Sequence, residues 1–184
     1  NQFDVVAVPL HDPSRGSNVL VTTATPNRIT AESLAKAKAE FAHLFEKMTG
    51  PRIAVLIGGS TKSHKFTADE AHDLVTMLAP IPNLMITTSR RTGAEKDRLF
   101  RYTLGTAGNY IWDGQSPNPY QGMLAWADYI LVTADSTAMI SDAATTGKPV
   151  YILPMNGITR RQKLLVENLK TRGAVRDFDG ALTP

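Results

Sequence analysis

The chain has 184 residues, of which 42% are hydrophobic and 20% charged, with no cysteine and a net charge of +3. That balance suits one globular domain with a real core. It rules out a disulfide framework and a thiolate metal site, and no apolar run approaches the ~20 residues of a membrane-spanning helix. No Lys/Arg block interleaves with aromatic residues, so nucleic acid is not an expected partner.

Residues 4–10 read as a strand ending near Pro9, 11–17 as a loop, and 18–23 as a second extended run. No helix separates the two runs. From Thr30 the spacing of Leu34, Ala37, Phe41, Leu44, Phe45 and Met48 predicts one amphipathic helix closed by Gly50-Pro51. Ile53 to Ile57 is a continuous apolar run, as expected of a strand covered on both faces. Gly58-Gly59-Ser60 ends it, and a basic loop leads to the capping box Thr67–Glu70 and a helix with Ala71, Leu74, Val75 and Leu78 inward.

Leu84 to Thr88 is the next strand. Ser89-Arg90-Arg91 follows, and Thr92-Gly93-Ala94-Glu95 reads as a second capping box before a helix through Leu104, stopped by Gly105 and Gly108. Tyr110 to Trp112 is a short strand, and Asp113 opens a loop. Asn118 is expected to cap a helix with Pro119 at its first position. Tyr129 to Val132 is a buried strand, and Thr133-Ala134-Asp135-Ser136 is a turn whose serine can cap the small-residue helix that ends at Gly147. Val150 to Leu153 is the fifth strand of the series. Thr159–Gln162 is a third capping box, and its helix places Leu164, Leu165, Val166 and Leu169 inward before Gly173.

Strands alternating with helices predict an α/β, Rossmann-like, doubly wound parallel sheet of five to six strands. Right-handed crossovers then gather the strand-to-helix turns on one edge. These turns carry Gly58-Gly59-Ser60, Ser89-Arg90, Asp113-Gly114, Thr133 to Ser136 and Pro154 to Gly157. Glycine amides, hydroxyls, arginines and helix starts together suit a phosphorylated ligand, although each turn alone also fits plain turn geometry. There is no dinucleotide fingerprint, P-loop or nucleophile elbow, and His11, His43, His64 and His72 show no metal-ligand spacing.

"GGSTKSHKFT", "TTSRRT", "NPYQGMLAWAD" and "ADSTAMISDAATTGKPV" resemble the mitochondrial-fission protein family of plants and its proteobacterial relatives. That family is GT-B-like, and most of its bacterial members have no assigned reaction. The same segments are similar to the donor-binding half of GT-B glycosyltransferases, above all the UDP-N-acetylglucosamine transferases that form lipid II.

The resemblance implies the C-terminal domain of a two-domain GT-B-type fold. Residues 1–25 are then the tail of an N-terminal domain plus linker, and 26–184 a nucleotide-sugar-binding domain. It implies that Ser60 touches the donor diphosphate, with Gly58 and Gly59 giving backbone access. Asp142 would hold the ribose hydroxyls, where the transferases carry the longer Glu. Thr133, Ser136 and Met139 would line the same pocket, Arg90 would meet a phosphate, and Asp113 and Asn118 would flank the base.

A sugar nucleotide such as a UDP-sugar is thus the expected ligand, with no separate cofactor or metal. The expected location is cytoplasmic, with peripheral membrane attachment left open. The alternative implied by the fission family is a non-catalytic interaction protein, for which Tyr102, Tyr120 and Trp126 are candidate surface residues. A non-hydrolysing epimerase shares the fold but lacks a placeable carboxylate pair.

Overall fold

The computed structural model describes residues 3–105 and 108–183; the first two residues of the expected 1–25 segment lie outside them. Strands β1 (Val6–Pro9) and β2 (Val19–Thr22) pair in parallel, Val6 opposite Val19, as a two-stranded sheet of their own. Phe3, Val5 and Leu20 stand exposed around it.

The helix expected to run from Thr30 to Met48 is two pieces, α1 (Ala31–Glu40) and α2 (Ala42–Phe45). Thr30 and Ser33 cap the first reciprocally. The break falls at Phe41, whose backbone leaves the helix at φ −101° and ψ 16°. Its side chain packs on Gly122, where a Cβ would come within 2.7 Å of it. Seating that ring overrides the helical periodicity, and the next turn buries Phe45 edge-on to Tyr110 at 5.2 Å.

The main body follows as β3 (Ile53–Ile57), α3 (Ala68–Leu78), β4 (Leu84–Thr88), α4 (Ala94–Leu104), β5 (Tyr110–Ile111), α5 (Tyr120–Trp126), β6 (Tyr129–Thr133), α6 (Thr137–Thr145), β7 (Val150–Leu153), α7 (Arg160–Thr171) and β8 (Arg176–Asp177). The six strands form one parallel sheet in the order β5-β4-β3-β6-β7-β8. This is the expected α/β, Rossmann-like arrangement. β8 is the strand without a sequence signal: its two residues are charged and exposed.

β3 and β7 are buried along their whole length, as apolar runs sandwiched between helices should be. From β3 the chain winds one way to β5, and from β6 it winds the other way to β8. With right-handed crossovers, α3 and α4 cover one face while α5, α6 and α7 cover the other. α3 packs beside α4, α6 beside α7, and α1 against α5. The direction of winding therefore reverses between β3 and β6, and the crevice at the carboxyl ends of those two strands is the topological switch point, where open α/β sheets take ligands.

The boxes at Thr67–Glu70 and Thr159–Gln162 form as expected, whereas the one at Thr92 does not. The N-cap of α4 is Gly93, at φ +86°, without a side-chain cap, while Thr92 is buried and its hydroxyl donates to the Gly58 carbonyl. The bond across to the β3 turn wins over the local cap. α5 starts one residue later than expected, after Pro119, yet Asn118 Oδ1 still accepts from Tyr120 N at 3.0 Å. Leu164, expected inward, is 41% exposed. It faces the junction with the loop after β1, beside Leu10. Among the described residues no helix is long and apolar enough to cross a membrane.

Candidate functional site

The turn after β3 and the turn after β6 meet at the switch point. Gly58 N donates to Thr133 Oγ1 at 2.8 Å and Gly59 N to Asp135 Oδ2 at 2.9 Å. Ser60 N donates to the Arg91 carbonyl at 3.0 Å, and Ser60 Oγ accepts from Phe66 N at 3.1 Å. Arg91 closes the top, its Nη1 donating to the Ser60 carbonyl at 3.2 Å and its Nη2 lying 3.8 Å from Asp135 Oδ2. Gln162, at the start of α7, donates to the Asp135 carbonyl, so three further elements fix this turn.

Both glycines are required by packing. A methyl group at Gly58 would lie 2.2 Å from Asp135 Oδ2, and one at Gly59 would lie 2.2 Å from the Arg91 carbonyl carbon. Their amide protons are committed within the protein, whereas the hydroxyl proton of Ser60 has no acceptor among the described residues. Ser136 caps α6 by accepting from Met139 N at 3.4 Å. Met139 is partly buried against the core.

Beside this knot, between the carboxyl ends of β4 and β5, lies a cavity of about 290 Å³ lined by Thr88, Arg90, Gly93, Asp97, Trp112 and Asp113 among others. Its floor is rigid: Asp97 accepts from Thr88 Oγ1 at 2.6 Å and from Arg101 Nε at 2.7 Å. The Trp112 indole is fixed by its bond to the Ser116 carbonyl at 3.1 Å. Arg90 is exposed and has no hydrogen-bond or ion partner among the described residues. The uncapped start of α4 opens into the same space. Asp113 Oδ1 accepts from Gln115 N, Ser116 N and Ser116 Oγ at 2.8–2.9 Å. Those bonds from the Gln115 and Ser116 amides hold its carboxyl below the usual range.

The loop from 112 to 119 leads from this cavity to Tyr120, whose hydroxyl donates to Asp142 Oδ2 at 2.9 Å. Burial raises the Asp142 carboxyl above its ordinary value, opposed by the Tyr120 hydroxyl, and burial together with the carboxylate raises Tyr120. On the other flank, Glu70 accepts from Asn156 N at 2.8 Å and Thr67 N at 2.9 Å, with His64 Nε2 at 3.6 Å. That pair ties the turn after β7 to the start of α3.

Of the ten candidates, Gly58, Gly59, Ser60, Thr133 and Ser136 come together at the switch point, and Arg90 and Asp113 at the adjoining cavity. Asp142 and Met139 lie along α6, and Asn118 sits outside the cavity lining, at the start of α5. Asp135 and Arg91 entered the sequence reading only as members of their turns, Glu70 only as part of a capping box and Tyr120 only as a surface candidate, whereas the Tyr120 hydroxyl is part-buried on Asp142. The contacts of Asp135 with Gly59 and Arg91 depend on β6 lying next to β3, and the bond from Tyr120 to Asp142 on α5 reaching α6, which no local pattern encodes. Among the surface candidates, Tyr102 is 92% exposed, whereas Trp126 packs under Lys38 and Arg52. Among the described residues no group of three His, Asp or Glu could hold a metal ion.

The family model described as "Mitochondrial fission ELM1" matches residues 1–184, and the chain belongs to that family. It is 34% identical to the Mitochondrial fission protein ELM1 of Arabidopsis thaliana over 98% of this chain and 49% of that protein. It is 32% identical to the uncharacterized protein RP120 of Rickettsia prowazekii (strain Madrid E), over 94% of this chain and 51% of that one. The chain thus spans about half the length of the curated relatives it matches. Its fold is similar to that of the GT-B glycosyltransferase MurG of Acinetobacter baumannii, at a TM-score of 0.53 and 18% identity, covering 98% of this chain and 48% of that one.

Proposed function

We propose that this chain is the sugar-nucleotide donor-binding half of a GT-B-type, glycosyltransferase-like protein. The observation that carries the proposal is the cavity at the carboxyl edge, next to the switch point, bounded by the free guanidinium of Arg90, the uncapped start of α4 and the fixed ring of Trp112. Unsatisfied helix-start amides and an arginine favour phosphate oxygens, and an aromatic wall favours a planar base.

The nucleoside of a UDP-sugar or a similar ligand would lie between Asp113 and Asp142, which the 112–119 loop links. Ser60 and Arg90 would face the phosphates. An acceptor hydroxyl and its base would come from an N-terminal half, to which β1 and β2 belong. Arginine and helix-start amides would stabilise the departing diphosphate, without a metal. We place the protein in the cytoplasm, at a membrane surface or on a protein partner. Titration calorimetry of this chain and the full-length protein with UDP, GDP and their sugars tests the proposal. Heat with at least one nucleotide supports it; none with any, in either form, removes it.

One observation favours a second function, that of a non-catalytic interaction protein suited to the fission family. The amides of Gly58 and Gly59, expected to face a diphosphate, are already bonded to Thr133 and Asp135. Fold alone does not decide between the two. An interaction protein would tolerate Ser60→Ala and Arg90→Ala in cells, and a transferase would not.

A further inference from the structure

Asp135 occupies the position in which this fold would hold a ligand's anionic group. Its carboxylate rests against the Gly58 backbone, so close that a single methyl there would overlap both oxygens, at 2.2 and 2.3 Å. Oδ2 takes the Gly59 amide at 2.9 Å and faces the Arg91 guanidinium at 3.8 Å. A glycine-pair amide and a guanidinium are the donors a phosphate recruits at a switch point. The Asp135 side chain is fully buried, and Oδ1 finds no hydrogen-bond partner among the described residues. A buried carboxylate with an idle oxygen is costly, and a neutral asparagine or serine could join the two turns without that cost.

We infer that Asp135 is a built-in occupant of the diphosphate seat. Its carboxylate holds the Gly58-Gly59 turn and Arg91 in the arrangement of an anion complex and keeps free pyrophosphate out, by volume and by like charge. A nucleotide taken up at the β4–β5 cavity therefore places its phosphates outside the crevice, towards Arg90, unless Asp135 first withdraws. Occupancy of the seat is independent of whether that cavity takes a nucleotide.

The test is titration of inorganic pyrophosphate into the wild-type chain, Asp135→Asn and Asp135→Ser, with UDP in a parallel arm. Asparagine removes the charge and keeps the volume; serine removes both. Binding is expected to strengthen from wild type to asparagine to serine, with the serine variant at least about tenfold tighter than wild type, the scale of removing one like charge at contact distance. Equal binding by all three, or binding by none, overturns the inference. If neither variant folds, the Gly58 and Gly59 amide resonances of the wild-type chain decide it. They should stay unmoved by pyrophosphate, and a shift of both overturns the inference. The UDP arm reads the β4–β5 cavity separately, so either proposal can fail while the other stands.

Discussion

The hydroxyl of Tyr120 donates to Asp142 Oδ2 at 2.9 Å, joining the first turn of α5 to the second turn of α6 across the helix layer beside the switch point. This bond is the one influence that lowers the Asp142 pKa; burial raises it, and burial prevails. The folded chain therefore keeps a proton that the unfolded chain releases once pH passes 3.8. Protons bound in excess by the folded state mean stability that is full below that pH and falls as pH climbs towards the raised folded value. Asp142→Asn should remove this fall. The measurement is urea unfolding of both chains across that range, and parallel pH profiles would contradict the assignment. Tyr120→Phe should cost about 1 kcal/mol near neutral pH.

Gly59→Ala should be far more damaging than Gly114→Ala. A Cβ at Gly59 meets the Arg91 backbone at 2.2 Å, whereas at Gly114 no atom of the described residues lies within 4 Å and only the positive φ of 77° resists. The first should cost about 3 kcal/mol or more, because backbone rather than a flexible tip must move. The second should cost about 1 kcal/mol. Thermal unfolding of the two variants checks the ranking.

Thr92→Val keeps the shape of a buried side chain but strands the Gly58 carbonyl, which the Thr92 hydroxyl serves, while the Ser89 amide keeps its bond to the Ile57 carbonyl at 2.9 Å. A loss of about 1–3 kcal/mol is expected. Amide exchange should quicken first in the turns after β3 and β4, since the hydroxyl joins those two.

Lys148 reaches back from the start of β7 to the end of α5, where its Nζ donates to the carbonyls of Leu124, Ala125 and Ala127 at 2.6–2.7 Å. A cation there satisfies carbonyls that the helix leaves open. Lys148→Met should lower stability by about 2 kcal/mol. An unchanged urea midpoint would show that water replaces the ammonium without loss.

The layered fold was legible because it is written in local chemistry. The apolar run Ile53–Ile57 reads as a strand on both faces, and two of the three expected capping boxes form where the residues stand. What could not be read depended on partners remote in sequence. Phe41 breaks a well-patterned helix because Gly122 receives its ring, and Thr92 abandons a cap for the Gly58 carbonyl. Asp135 looks from the sequence like one more residue of a polar turn. Only the pairing of β6 beside β3 sets its carboxylate against Gly58 and Gly59. The glycine pair itself stood out, but the signal could not separate close packing from access for a ligand.

The most direct measurement is the affinity of the chain for UDP before and after Arg90→Ala, with Arg98→Ala as the control. Arg90 lines the cavity between β4 and β5, while Arg98 lines a different one, between α3 and α4. Loss of a charge-assisted phosphate contact should weaken binding about tenfold or more for Arg90→Ala and leave Arg98→Ala at the wild-type value. Equal affinity in all three chains would contradict donor binding at this edge of the sheet.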